Sequence, residues 1–175
     1  MTNLLEKKAY KEGMFTVTLR RKSGEETILF AGKPSRRERT ALEQLLQFPS
    51  PNTIVSAGKA GLASRIIGAG AAAFAYIAVG TGASAVTAGD TALGAETVGS
   101  GLSRVLATLS LVTTTVTNDT ARLATTFTVT GTVAITEIGV FNASSAGTML
   151  CRTVFGALTV QNGDSLTVNY DVQAS

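Results

Sequence analysis

The segment LTVNYDV, residues 166–172, alternates apolar and polar side chains without interruption. An extended chain places its alternate residues on opposite faces, so one face of this segment is apolar and the other is polar. The apolar set is Leu166, Val168, Tyr170 and Val172, and the polar set is Thr167, Asn169 and Asp171. Such alternation is typical of an antiparallel strand that is buried on one side. The segment therefore predicts a half-buried β-strand.

The same pattern continues upstream and defines the fold class. Five further segments suit strands, namely residues 74–79, 102–116, 123–129, 133–141 and 149–155. Turn-forming residues separate the later strands, at 118–119, 131, 144–147 and 162–164. The chain is 45% hydrophobic but only 6% aromatic and has no Trp, so Ala, Val, Leu and Ile supply its apolar content. We expect a mainly β protein, with an antiparallel β-sandwich or small barrel over about residues 66–175.

The N-terminal part predicts a β-hairpin followed by a helix. Residues 15–19 alternate apolar and polar side chains, and a second apolar run at 28–30 follows a Ser-Gly turn. Ser35 has the character of a helix N-cap, with Glu38 three residues later. Pro49 and Pro51 then mark a boundary. We divide the chain into an arm at residues 1–50, made of the hairpin and helix, and a β-sandwich-like core domain at residues 51–175. The core domain begins with a helix from residue 52 to about 68.

The charged residues also divide the chain into an N-terminal and a C-terminal part. Residues 1–65 hold twelve Lys and Arg against six Glu, a net charge of +6, whereas residues 66–175 have a net charge of −3. The basic arm either docks on nucleic acid, a membrane or an acidic protein surface, or forms a solvated face. The arm residues predicted to contact a partner are Arg20, Arg21, Lys22, Arg36, Arg37 and Arg39. No aromatic residues are interleaved with these clusters and several Glu lie nearby, which argues against nucleic-acid binding.

Composition and motifs argue against catalysis. The chain has no His and one Cys, so the usual routes to acid–base, redox and zinc chemistry are closed. We therefore predict no enzyme activity, no catalytic residue, no cofactor and no metal. Residues 80–85 spell G-x-G-x-x-A, but a dinucleotide site needs a helix to begin there, and residues 86–91 form helix poorly. Residues 66–89 carry no charge, but five glycines interrupt them, so we predict no membrane span.

Glu137 lies among apolar residues in the segment 133–141. If its side chain is buried, it needs a charged partner, which Arg104, Arg122 or Arg152 could supply. The alternative is that the alternation turns it to solvent. We favour a structural ion pair.

Several short strings resemble one protein family. The strings are IAVGTG at 77–82, DTALGAE at 90–96 followed by Arg104, ITEIGVFN at 135–142, GTMLCR at 147–152 and NGDSL at 162–166. Together they resemble the tail-collar and tail-fibre attachment domains of tailed phages, over about residues 76–172. The motif residues are Gly80, Gly82, Glu96, Arg104, Glu137, Gly139 and Phe141.

The resemblance implies a virion structural protein that is assembled in the cytoplasm of the bacterial host and acts by protein–protein assembly. Members of the family continue into a shaft, whereas this sequence stops at Ser175, so we expect a short tail, collar or neck adaptor. Its partners would be other phage virion proteins of the tail, neck, baseplate or capsid, and it would form a homo-oligomer, with a trimer favoured. The alternative is a capsid decoration (cement) protein that stabilises the head shell. A soluble receptor-binding or carbohydrate-binding module is less favoured, because the chain has three Tyr and no Trp to build a sugar platform. Removal of residues 1–50 is expected to leave a folded core that no longer enters particles.

Overall fold

A computed structural model describes residues 14–31, 53–70 and 72–173 of the chain. Ten strands and one helix lie in these residues. The strands are β1 (Met14–Arg20), β2 (Glu26–Ala31), β3 (Thr53–Ile54), β4 (Tyr76–Gly80), β5 (Val105–Leu106), β6 (Thr108–Val112), β7 (Thr120–Thr128), β8 (Val133–Phe141), β9 (Met149–Val160) and β10 (Ser165–Gln173). The helix is α1 (Ser56–Ile66).

The strands form two antiparallel five-stranded sheets. Sheet 1 has the order β2-β1-β10-β7-β6, and sheet 2 has the order β3-β9-β8-β4-β5. The mainly β prediction is confirmed. Of the two architectures that the sequence left open, the sandwich is the correct one, since the described sheets do not close into a barrel.

The main core lies between the two sheets and follows the alternation of the strands. In β10, Leu166, Val168 and Tyr170 are at most 2% exposed, while the intervening residues are half-buried. Strands of both sheets contribute to the same cluster, including Phe127 from sheet 1 and Phe155 from sheet 2. Full burial of each large apolar side chain contributes about 1.5–3 kcal/mol, so this cluster is the main source of stability.

The hairpin of the predicted arm forms part of the sandwich. β1 pairs with β2 on one side and with β10 on the other, the latter over seven residue pairs from Met14–Asp171 to Arg20–Ser165. Val17 and Leu19 of β1 are almost completely buried in the main core. The hairpin therefore differs from the separate arm that we expected. The predicted helix after Ser35, the boundary at residue 50, and Arg36, Arg37 and Arg39 lie outside the described residues.

This position changes the expected result of the truncation. Removal of residues 1–50 would delete two of the five strands of sheet 1, leave β10 at the edge of the sheet and remove Val17 and Leu19 from the main core. The expectation of a folded remainder stays a prediction, and the pairing of β1 with β10 argues against it.

Residues 102–116, which we predicted as strand, pass from one sheet to the other. β5 pairs with β4 in sheet 2, and β6 pairs with β7 in sheet 1. Between them, the amide of Ala107 donates to the carbonyl of Ala75 at 2.7 Å. The segment is therefore two short strands in different sheets.

Helix α1 lies within the predicted range and packs on β9. Gly58 is its buried residue, and a Cβ there would collide with the backbone of Leu150. The glycine that weakens helix propensity thus permits close packing. Nowhere in the described residues is there a helix with both the length and the hydropathy that a membrane span requires.

Candidate functional site

A long loop leaves sheet 2 after β4 and folds back over the outer face of that sheet, the face turned away from the main core. We call residues 81–96 the covering loop. Its end returns beside β4, where Gly80 and Glu96 form an isolated antiparallel bridge. The amide of Thr81 donates to the carbonyl of Ala95 at 2.9 Å. The amide of Thr97 donates to the carbonyl of Val79, also at 2.9 Å. The backbone itself therefore holds both ends of the loop.

The loop buries a small second cluster on the outer face of sheet 2. Leu93 of the loop packs with Val55, Ala78, Phe141 and Met149. Gly139 lies below Leu93, and a Cβ at that position would be 2.8 Å from a methyl group of Leu93. Sheet 2 is therefore covered on both faces.

Glu137 fastens the covering loop to the sheet. Its side chain is completely buried and accepts hydrogen bonds from three loop amides, those of Gly82 (2.9 Å), Gly94 (2.9 Å) and Ala95 (2.7 Å). A fourth bond comes from Nε of Arg152 at 2.7 Å. A buried carboxylate is stable only when its oxygens are hydrogen-bonded and its charge is balanced, and this site provides both.

The orientation of Glu137 follows from an irregularity in β8. In a regular strand Glu137 would share a face with Ile135, which lies in the main core. The register between β8 and β9 shifts between these two residues, and Ile138 and Val140 take the core face instead. Glu137 therefore lies on the outer face, beneath the loop.

Arg152 joins Glu137 to a second loop carboxylate. It lies on β9 and donates from Nη1 to Oδ2 of Asp90 at 2.8 Å, with only 4% of its side chain exposed. Burial lowers the pKa of Arg152, but the bonds to Asp90 and Glu137 outweigh it and leave this pKa above its ordinary value. Burial raises the pKa of Asp90, but bonds from Thr87 and Arg152 outweigh it and leave this pKa below its ordinary value. We call Glu137, Arg152 and Asp90 the buried clamp.

Three loop and strand glycines make room for the clamp. A Cβ on Gly82 would overlap the Glu137 carboxylate. One on Gly80 would be 2.6 Å from an oxygen of Glu137, and one on Gly94 would be 3.0 Å from Nη2 of Arg152. The loop amides reach the carboxylate because these positions lack side chains.

A second ion pair closes the far end of the loop. Arg104 donates to both carboxylate oxygens of Glu96, at 2.9 and 2.6 Å, and its guanidinium lies 3.6 Å from the centroid of the Phe141 ring. It also donates to the carbonyls of Ala143 and Ala146, at 3.1 and 2.8 Å. We call this the rim clamp. It joins the loop to the turn between β8 and β9.

The structure brings the seven motif residues together. Gly80, Gly82, Glu96, Arg104, Glu137, Gly139 and Phe141 all lie in or directly beneath the covering loop and its two clamps. Glu137 pairs with Arg152, one of the three arginines that the sequence offered. The roles of Asp90 and Leu93 were not predicted, although both lie in the 90–96 string that carried the resemblance.

The basic residues of the hairpin lie elsewhere. Arg21 donates from Nη1 to Asp164 at 2.8 Å and to the carbonyl of Thr159 at 2.9 Å, so it fastens the β1–β2 turn to the β9–β10 turn. The backbone amide of Lys22 donates to the same aspartate at 3.2 Å. The side chains of Arg20 and Lys22 are exposed.

The chemistry of the clamps is that of fixed ion pairs. Each Glu137 oxygen accepts two hydrogen bonds, so the carboxylate is used as an acceptor of loop amides. Burial raises the pKa of the Cys151 thiol to about 12, which makes it inert at neutral pH. Among residues 14–31, 53–70 and 72–173, no group of three or more His, Cys, Asp or Glu is placed to hold a metal ion.

Comparisons of the chain with protein-family models, with curated proteins and with solved structures each return no match.

Proposed function

We propose that this chain is a structural β-sandwich protein that acts by binding other proteins, with the covering loop as part of its contact surface. The observation that carries the proposal is the completely buried Glu137, which holds three loop amides and Arg152 at once. Burying a carboxylate under a surface loop is costly, and the hydrogen bonds that offset this cost also fix the conformation of the loop. A loop fixed in advance binds more tightly, because less conformational entropy is lost on association.

The outer surface of the loop suits a protein contact. Thr81, Ser84 and Ala85 are exposed, and Val98 just beyond the loop is 80% exposed. The charges of Asp90 and Glu96 are already paired with Arg152 and Arg104. The exposed part therefore carries little charge, as the centre of many protein interfaces does.

Within this class, the more specific proposal is an adaptor of the tail, collar or neck of a phage virion. The support is the coincidence of two sets of residues. The strings that resemble the tail-collar and tail-fibre attachment domains contain the residues that build both clamps and cover sheet 2. Its partners would be other virion proteins, it would act without catalysis or a cofactor, and it would be assembled in the cytoplasm of the bacterial host as a homo-oligomer. The resemblance favours a trimer.

Copy number in purified particles tests this proposal. Particles of the phage that carries the gene would be separated on a gel and the band of this chain compared with that of the major capsid protein. A few copies per particle support an adaptor at one vertex. Hundreds of copies would indicate a capsid decoration protein, and absence of the chain from particles would contradict a virion role.

A variant of Glu137 tests whether the copy number in particles depends on the covering loop. In Glu137→Gln an NH₂ group replaces one carboxylate oxygen and would face N–H donors. The hydrogen bonds that hold the covering loop would therefore be lost in part. We expect the folded variant to enter particles at a much lower copy number. Glu25→Gln is the matched control, because Glu25 is exposed in the β1–β2 turn. Equal incorporation of the two variants would contradict a role for the loop.

A further inference from the structure

β6 differs from the edges of sheet 2. Among the described residues it forms one edge of sheet 1, spans five residues and pairs only with β7. The edges of sheet 2, β3 and β5, are two residues long each. Proteins protect sheet edges from pairing with other chains by making them short, charged, bulged or covered. Sheet 2 has short edges, whereas the edge at β6 is long.

In the part of the chain that the structure describes, β6 also lacks the other protections. Its sequence, TLSLV, contains no charged residue and no Pro. Its register with β7 runs without a shift from Thr108–Ala124 to Val112–Thr120, so no bulge turns it away. Leu109 is 51% and Leu111 is 63% exposed. A flat, uncharged and apolar edge of this kind favours pairing with another strand.

The face of sheet 1 that packs in the main core continues onto Leu109 and Leu111, which remain largely exposed. Leu109 lies opposite Leu123 in the register with β7, and directly opposite residues share a face. Leu123 is 3% exposed and belongs to the main core. Leu106 and Val116, near the two ends of β6 in the chain, are 61% and 67% exposed. These residues therefore form an exposed apolar strip that continues the core side of sheet 1, and none of residues 14–31, 53–70 and 72–173 covers it.

We propose that β6 pairs antiparallel with β6 of a second copy of the chain, about a two-fold axis at Ser110. The strand is its own complement: in that register each Leu109 lies opposite Leu111 of the partner subunit, and each Ser110 lies opposite Ser110 of the partner subunit. The absence of charge on β6 means that self-pairing brings no like charges together. Two-fold contacts are the commonest in homo-oligomers and use the same patch on both subunits.

This inference deepens the self-association named in the proposed function and specifies its surface. The two five-stranded sheets would join into one continuous sheet across the axis. A three-fold assembly cannot be made by this contact, because an edge strand has one free side. A trimer would have to use other surfaces.

Cysteine cross-linking tests the register. Residues directly opposite in an antiparallel pair have Cα atoms about 4.5–5.5 Å apart, within the range of about 4.4–6.8 Å that disulfides require. We therefore expect Ser110→Cys to form a covalent dimer under mild oxidation, seen on a non-reducing gel. The buried Cys151 does not compete, since its pKa is raised to about 12. Ser23→Cys, at an exposed serine of the β1–β2 turn, is the matched control and is expected to remain uncross-linked.

A lysine substitution tests the surface independently. We expect the wild-type chain of 18.0 kDa to have an even multiple of that mass in solution by light scattering, either two copies or a larger assembly that contains the β6 pair, and Leu109→Lys to halve the mass. Ile67→Lys is the control at an exposed apolar residue off the strand, at the end of α1, and should keep the mass of the wild type. Both positions are exposed, so both variants should fold, which circular dichroism would check.

A monomeric wild type, a mass unaffected by Leu109→Lys, or failure of Ser110→Cys to cross-link would overturn the pairing. None of these results would alter the count of copies in particles, so the two proposals fail separately.

Discussion

Each sheet carries an arginine–carboxylate pair between neighbouring strands on its outer face, and the two pairs differ in their cover. Arg152 and Glu137 of sheet 2 are joined by a bond of 2.7 Å, with 4% and 0% of their side chains exposed. Arg122 and Asp171 of sheet 1 are joined by two bonds of 2.7 Å, with 41% and 16% exposed. The bond lengths are the same. The covering loop makes the first pair a fixed part of the structure, while water competes for the second.

The outer faces of the two sheets also differ in composition, because the covering loop lies on sheet 2. Below the loop, sheet 2 presents small and apolar residues such as Ala78, Gly139 and Phe141. The open face of sheet 1 presents polar side chains, among them Thr126 and Thr167, whose hydroxyls are 2.8 Å apart. The comparison indicates that the outer face of sheet 2 depends on the loop, and the outer face of sheet 1 does not.

The largest expected effect is that of Arg152→Met. Removal of the guanidinium leaves Glu137 buried without a counter-charge and Asp90 without its partner. Breaking a buried pair in this way costs about 3–5 kcal/mol. Urea unfolding should show a loss of this size in the free energy of unfolding. A loss below about 1 kcal/mol would mean that the buried clamp is not the fastening we describe.

A smaller loss is expected for Gly82→Ala. Its Cβ would overlap the Glu137 carboxylate, and relief of such overpacking costs about 1–3 kcal/mol. Gly99→Ala is the matched control, because a Cβ there meets nothing within 4 Å. Thermal unfolding of the two variants would compare them directly. The account requires Gly82→Ala to melt at a lower temperature than Gly99→Ala, and equal melting temperatures would contradict it.

Acid should weaken both sheets through their aspartates. Burial raises the pKa of Asp90, and it also raises that of Asp164. Bonds from Thr87 and Arg152 outweigh burial at Asp90, and bonds from Gln161 and Arg21 do so at Asp164, so both pKa values lie below the ordinary value of 3.8. A carboxyl with a lowered pKa stabilises the fold above its unfolded pKa and loses that contribution as pH falls through the folded pKa.

The expected result is a stability that is constant above about pH 5 and falls as pH drops below the ordinary value of 3.8. Asp90→Asn and Asp164→Asn should each be less stable than the wild type at neutral pH and should each lose less stability in acid. Urea unfolding at a series of pH values measures both effects. A variant with the full acid dependence of the wild type would show that its aspartate is not coupled to folding.

The smallest effect is expected for Arg122→Met. The pair with Asp171 is partly exposed, and such pairs contribute about 0–1 kcal/mol. Urea unfolding should therefore separate Arg122→Met from Arg152→Met by at least 2 kcal/mol. Similar losses in the two variants would remove the distinction between the sheets.

Local periodicity predicted most of the strands, since it is a property of neighbouring residues. The bounds predicted for 133–141 coincide with β8, and the alternation of 166–172 gives the buried face of β10. Periodicity contains no information on distant pairing. The place of β1 between β2 and β10, and the passage of the chain between sheets at Ala107, follow from contacts far apart in sequence.

The site was predictable in part for the same reason. An acid at position 137 amid apolar residues signalled a paired charge, but the choice of Arg152 over Arg104 and Arg122 depends on the strand register. The irregularity next to Ile135 left no signal that we recognised. A loop that covers an outer face can be anticipated from glycines and small residues at 80, 82, 94 and 139 only once the strands beneath them are known.

Hydrogen exchange of three backbone amides tests the central claim most directly. The amides of Gly82, Gly94 and Ala95 donate to Glu137 from a surface loop that would otherwise exchange rapidly. We predict that they exchange as slowly as amides of the central strands, and that Glu137→Gln accelerates them while the amides of β10 remain protected. Rapid exchange of these three amides in the wild-type protein would contradict the account.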